Sequence, residues 1–168
     1  SSSIYQLLEH HQLLQPLMGD GVITPAVRSC SKSLRQLALK NTDRRVSEGR
    51  PVTPAFLLGA LFWPAVEDRA SQMKLKGESP IQAIHSASQQ ILMEACQRIA
   101  IPKRFSLSMR DIWDLQLRLQ RMQTKKAPDL LARRWFRAAY DLLILREQTS
   151  DLRSDCIEFW TKQQQKYP

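Results

Sequence analysis

The sequence predicts an all-α protein, an irregular multi-helix body of roughly seven to nine helices. Apolar residues recur at i, i+3, i+4 and i+7 over nearly the whole chain, and no stretch alternates with a period of two and β-branched enrichment. Pairs such as Thr53-Pro54 and Ser79-Pro80 read as helix starts, with a capping hydroxyl followed by a proline whose missing N–H costs nothing in the first turn. With 168 residues, 43% of them apolar, the chain has material for one core or for two small domains sharing an interface.

Ile4, Leu7, Leu8, His11 and Leu14 place a first helix that stops before Pro16, because the residue ahead of a proline is pushed out of the α region. Met18 to Thr24, containing Gly19, Asp20 and Gly21, is then a loop. A second helix from about Pro25 carries Val27, Cys30, Leu34, Leu37 and Ala38 on one side and fades into the polar stretch Asn41 to Arg50. That fading sets an expected boundary between residues 1–50 and 51–168. Thr53-Pro54 opens a core helix through Phe56 to Trp63, which Pro64 should kink or end, and a further helix runs through Val66 to Leu75 and closes near Gly77. Ser79-Pro80 starts a helix bearing Ile81, Ile84, Ile91, Ala95 and Ile99, broken at Ile101-Pro102. Ser108-x-x-Asp111 resembles a capping box, with Asp in place of Glu, for a helix ending around Gln123. Pro128 and Ser150 start the last segments, Asp129 to Gln148 as up to two helices and Asp151 to about Gln164 as the terminal one.

The net charge is +9 and the pI about 9.9, which favours polyanionic partners, nucleic acid first and an anionic membrane surface second. The charge is concentrated: residues 98–146 hold 12 basic and 4 acidic side chains, net +8, whereas 1–97 sum to +2 and 147–168 to −1. At 100° per residue, Arg110, Asp114, Arg118, Arg121 and, if the helix persists, Lys125 fall within about 80° of one another, opposite Ile112, Leu115, Leu119 and Met122. The same wheel puts Arg133, Arg134, Arg137 and Asp141 on a narrow basic face opposite an apolar one. Guanidinium groups match phosphate oxygens with planar, bidentate donors. The candidate binding residues are therefore Lys103, Arg104, Arg110, Arg118, Arg121, Lys125, Lys126, Arg133, Arg134 and Arg137. Asp114 can also pair with Arg110 and Arg118, and Asp141 with Arg137, which would leave part of the stripe an ordinary solvated face.

Catalytic chemistry finds no foothold in the pattern. His10 and His11 are adjacent and His85 stands alone, without H-E-x-x-H spacing, and the five glycines form no phosphate-cradling motif. Asp111 and Asp114 form an i, i+3 carboxylate pair, but arginines surround them and Ser108 explains Asp111 as a cap, so no metal site is expected. Of the four tryptophans, Trp113 flanks the basic stripe and is the candidate for base stacking; Trp63, Trp135 and Trp160 are expected in the core. Cys30, Cys96 and Cys156 form neither a disulfide framework nor a C-x-x-C zinc site, which fits a reducing, cytoplasmic setting. The apolar run Val52 to Trp63 spans 12 residues, short of the roughly 20 a bilayer requires, so no membrane partner is expected. The start at Ser1-Ser2-Ser3, without Met or a signal-type core, suggests a fragment not directed to secretion.

Three stretches carry a family resemblance: Asn41-Thr-Asp-Arg-Arg with Val52-Thr-Pro-Ala-Phe-Leu-Leu to Phe62-Trp63-Pro64; Ile101-Pro-Lys-Arg104 with Arg110-Asp-Ile-Trp-Asp-Leu-Gln-Leu-Arg118; and Phe136-Arg-Ala-Ala-Tyr-Asp-Leu-Leu-Ile-Leu-Arg146. In order and spacing they resemble the C-terminal half of bacterial poly(A) polymerases, class II nucleotidyltransferases related to the CCA-adding enzymes. Tyr5 to Leu17 is similar to the helix after the family's neck. The resemblance implies a neck-like helical remnant in residues 1–50 and a helical RNA-binding body in 51–168. Its parent enzyme uses Mg²⁺ and ATP to add AMP to single-stranded RNA 3′ ends, promoting RNA decay. The family's catalytic nucleotidyltransferase head, with its Asp-x-Asp pair, and an arginine-rich tail are expected to lie outside this chain, so that no catalytic residue and no cofactor is carried onto it and the chain alone is not expected to be an enzyme. The reading kept beside this one is a basic helical module that docks an acidic protein or an anionic membrane surface.

Overall fold

Seven α-helices form among the described residues, 25–149 and 155–168 of the computed structural model, and no strand does. The expected first helix, the Met18 to Thr24 loop and the start at Ser150 lie outside those residues. Helix α1 (Pro25–Ser47) ends in a turn at Gly49, whose φ of 66° is left-handed and suits a residue without a Cβ. Helix α2 (Pro54–Leu75) is the hub and packs against α1, against α3 (Pro80–Arg98) and against α4 (Lys103–Gln120). A 3₁₀ turn (Thr124–Lys126) and the short α5 (Ala127–Leu131) lead to α6 (Phe136–Thr149), which lies against α1 and α4, and α7 (Asp155–Lys166) closes over α4 and α6.

Burial explains why α2 is central. Phe56, Gly59, Ala60, Phe62, Trp63, Ala65 and Val66 are buried around most of its circumference, so it must be covered on several sides at once. The expected break at Pro64 does not occur: a single helix runs through it, and Pro64 itself is buried. A proline inside a helix forfeits one backbone bond at a cost of about 3 kcal/mol, and enclosure by neighbouring helices offsets that loss. Thr53 is the N-cap residue of α2 but makes no side-chain capping bond, whereas at α3 Ser79 accepts from the Gln82 N–H at 3.4 Å as the pattern predicts. Helix α4 starts at Lys103 with Pro102 as its N-cap residue, six residues before the expected cap at Ser108. Pro102 supplies the carbonyl that receives the Phe105 and Ser106 amides, and Ser108, well inside the helix, donates back to the Arg104 carbonyl at 2.8 Å instead of capping.

Directional bonds set the roll of α4. The Trp113 indole, fully buried, donates to the Gly59 carbonyl of α2 at 2.9 Å, and the Trp160 indole of α7 donates to the Leu119 carbonyl at 2.8 Å. Gln116, also fully buried, donates to the Ala139 carbonyl of α6 at 2.9 Å and accepts from Arg146 at 3.0 Å. Arg146 in turn reaches Glu67 of α2 at 3.1 Å and lies over the Trp63 ring, 4.5 Å from its centroid. Burial pulls the Arg146 guanidinium below its usual range and Glu67 opposes the shift. This arginine, one of the 12 basic residues in the middle of the chain, is part of the core.

Candidate functional site

With Trp113 and Gln116 turned inward, the opposite side of α4 presents Arg110, Asp114, Arg118 and Arg121 outward. Across from it, α3 contributes Ile81, Ile84 and His85, and the two helices enclose a hollow of about 300 Å³. His85 Nε2 stands 3.5 Å from the Arg110 guanidinium. A second hollow of about 250 Å³ opens on the other flank of α4, between Asp111, Asp114 and Arg118 and the segment Arg133-Arg134-Trp135. A third, of about 170 Å³, lies between the end of α1, the start of α2 and α6, and is lined by Arg45, Phe56, Arg134, Trp135, Arg137 and Asp141 among others.

Neighbouring hollows share walls: Asp114 and Arg118 border the first and second, Arg134 and Trp135 the second and third. The three therefore adjoin along one furrow, whose arginines come from α4 and the residue that ends it, the turn before α6, α6 itself and α1. Of the ten residues the sequence singles out, Arg118, Arg121, Arg133, Arg134 and Arg137 line it and Arg110 borders it through His85. Lys103 and Arg104, at the start of α4, and Lys125 and Lys126, in the 3₁₀ turn beyond its end, line none of the three hollows. Because α4 ends at Gln120, Lys125 does not continue its stripe, and because α6 starts at Phe136, Arg133 and Arg134 sit in the preceding turn rather than on the helical wheel.

Two furrow residues escape sequence reasoning. Arg45 comes from the segment assigned to the neck, yet it reaches Asp141 of α6 at 2.7 Å, where Arg137 also approaches at 3.3 Å. No local pattern signals a pair 96 positions apart. Trp135, expected in the core, is only half-buried and faces two hollows, with the Arg134 guanidinium 5.3 Å from its ring centroid, whereas the stacking candidate Trp113 is inaccessible. Burial also sets the two acids apart. It pushes the Asp141 carboxyl above its ordinary value although Arg137 and Arg45 pull the other way, and it pushes Asp114 up against the attraction of His85, Arg110 and Arg118.

The described residues contain no group of three or more His, Cys, Asp or Glu able to hold a metal ion, and Asp111 and Asp114 share the second hollow with Arg118 beside them and Arg133 and Arg134 opposite, so this acid pair does not suit Mg²⁺. No described helix is long and apolar enough to cross a membrane.

By class this is a basic, all-helical module with six of its arginines, Arg45, Arg118, Arg121, Arg133, Arg134 and Arg137, along one furrow. The chain belongs to the family described as polymerase A arginine-rich C-terminus, whose model matches residues 76–168. The chain is similar to poly(A) polymerase I of Escherichia coli O6:H1, with 40% identity over 162 residues that make up 93% of this chain and 35% of that protein. It is likewise 40% identical to poly(A) polymerase I of Salmonella typhi over 88% of this chain and 32% of that protein, and 30% identical to that of Haemophilus influenzae over 86% and 32%. The chain thus spans about a third of the length of the curated relatives it matches.

Proposed function

We propose that this chain is the RNA-holding helical body of a poly(A) polymerase. In the whole protein a separate nucleotidyltransferase head would use ATP and Mg²⁺ to add AMP to RNA 3′ ends in the cytoplasm, and residues 51–168 would support the strand approaching it. Residues 1–50 would act as the neck, joined to the body by contacts such as Arg45 with Asp141. The observation that carries the reading is the furrow: arginines from several helices along a concave track, rather than spread over a flat face. Phosphate contacts of this kind give salt-dependent, sequence-tolerant affinity, which suits an enzyme that accepts many 3′ ends and moves along its own product.

A furrow fits a strand better than it fits a vesicle or a globular acidic partner. Fluorescence anisotropy with single-stranded RNAs of about 5 and 25 nucleotides, across salt, tests this. Tighter binding of the longer strand with a steep salt dependence is expected. Equal or absent binding of both lengths at low salt would sink the reading and leave the docking of an acidic protein or anionic membrane.

A further inference from the structure

Of the four tryptophans, Trp63, Trp113 and Trp160 are at most 2% exposed, and only Trp135 is open to solvent. It stands at the wall common to the second and third hollows, with arginines on both sides: Arg118 and Arg133 line the second with it, Arg45 and Arg137 the third, and Arg134 both. Guanidinium groups suit the phosphates of a strand, whereas the flat face of an indole suits its bases. We infer that Trp135 is a stacking platform for an unpaired nucleobase of the strand whose phosphates these arginines hold. This rests on the RNA-binding reading above and adds to it a contact with the bases.

The local backbone presents the ring ready-made. Trp135 directly precedes α6 and its carbonyl accepts the Ala139 amide at 2.9 Å, so it holds the N-cap position of that helix. Short polar side chains are preferred there because they accept from the first amides of the helix, which an indole, a donor only, cannot do. The core does not demand the ring either. Trp135 rests against it with one side, but the neighbouring Phe136 supplies the buried aromatic, stacked on Tyr140 and tilted against Trp160. The Arg134 guanidinium, 5.3 Å from the indole centroid, sets a phosphate donor beside the platform. Asp111, Asp114 and Asp141 line the same hollows and weaken the pull on phosphate, but a stacking contact carries no net charge for them to oppose. Every base has a π-face, so the contact is sequence-tolerant, and only an unpaired base has that face free, so it favours single strands over duplexes.

The test titrates the 168-residue chain, Trp135→Leu and Trp135→Phe by calorimetry with a single-stranded RNA of about 25 nucleotides and with inorganic polyphosphate of similar length, which has the charge without the bases. Trp135→Leu should weaken RNA binding about tenfold, the share of one base on one aromatic ring, with the salt slope and the polyphosphate affinity unchanged. Trp135→Phe should recover most of the loss. In the parent, RNA but not polyphosphate should quench tryptophan emission, and the quench should vanish in Trp135→Phe, which keeps only the three buried indoles. That parent measurement decides the matter even if Trp135→Leu does not fold. Equal loss of RNA and polyphosphate binding in Trp135→Leu, or emission unchanged at saturating RNA, would reduce Trp135 to a wall of the furrow and overturn the platform alone, leaving phosphate tracking intact. Failure of the parent to bind the RNA at low salt would overturn both.

Discussion

Replacing Arg118, Arg133 and Arg134 together by Ala removes three exposed guanidinium groups from the middle of the furrow, where Arg118 and Arg134 each border two hollows. Each phosphate contact to a single strand contributes about 0.7 to the slope of log K against log salt, so the slope should flatten by roughly 2. Between 50 and 200 mM salt, the parent should therefore lose about 20-fold more affinity for a 25-nucleotide RNA than the variant does. Anisotropy titrations at four or five salt concentrations resolve such a change. The control is the variant with Lys103, Arg104, Lys125 and Lys126 replaced by Ala, which removes more charge from residues outside the furrow. Its slope should change by less than about 1. If the control flattens the slope as much per charge as the triple variant, net charge rather than the furrow governs binding, and the geometric argument fails.

Stability responds to other residues. Arg146→Ala leaves the Oε1 of fully buried Gln116 without its donor, whereas the half-exposed Glu67 carboxylate returns to solvent, so the change should cost about 1–3 kcal/mol in denaturant unfolding, with Arg146→Met costing less because it refills the space. For Asp114, burial raises the folded-state pKa above the ordinary 3.8, so the ionised form is disfavoured in the folded chain. That destabilisation is absent below the unfolded pKa and develops as the pH climbs from there through the folded value. Asp114→Asn should accordingly melt higher than the parent at pH 7 and lose that advantage near pH 3; an advantage independent of pH would mean that the acid is not responsible. Gly59→Ala places a Cβ 3.7 Å from the Trp113 indole nitrogen, an ordinary contact, and replacing a mid-helix glycine should stabilise by roughly 0.5–1 kcal/mol in thermal or denaturant unfolding.

The fold was legible wherever helical periodicity and start signals agreed. Ser79-Pro80 gives the start of α3 to the residue because hydroxyl cap and proline act through the same few atoms. Two local signals misled for one physical reason, that neighbours decide what a local motif does. Pro64 reads as a break, but enclosure of α2 holds the helix through it; Ser108-x-x-Asp111 reads as a start, but Pro102 already provides one and Ser108 satisfies itself on the turn behind. The terminus of α4 carries a related lesson. Met122 adopts a left-handed φ of 47° with no glycine to announce it, and Lys125 leaves the stripe as a result.

The site was half legible because charge composition reports how many arginines there are, not which way each turns. Arg118 and Arg146 are indistinguishable in composition, and what separates them is that Gln116 waits for Arg146 in the interior and Glu67 meets it at the edge of the core. The same buried chain explains why the outward residues line up. Gln116 ties α4 to α6, Trp113 ties it to α2 and Trp160 ties it to α7, so α4 cannot roll without breaking a buried bond on at least one neighbour. A rotation of one residue, about 100°, would carry Arg118 and Arg121 out of the first hollow while leaving the chain's composition untouched. On the proposed RNA-holding role, the binding strength of the furrow should therefore depend on core bonds that lie outside it. Trp113→Phe, which keeps the ring but removes its bond to Gly59, should weaken RNA binding as well as lower the melting temperature. A loss of stability with unchanged binding at a temperature where the variant is folded would show that packing alone holds the face in place.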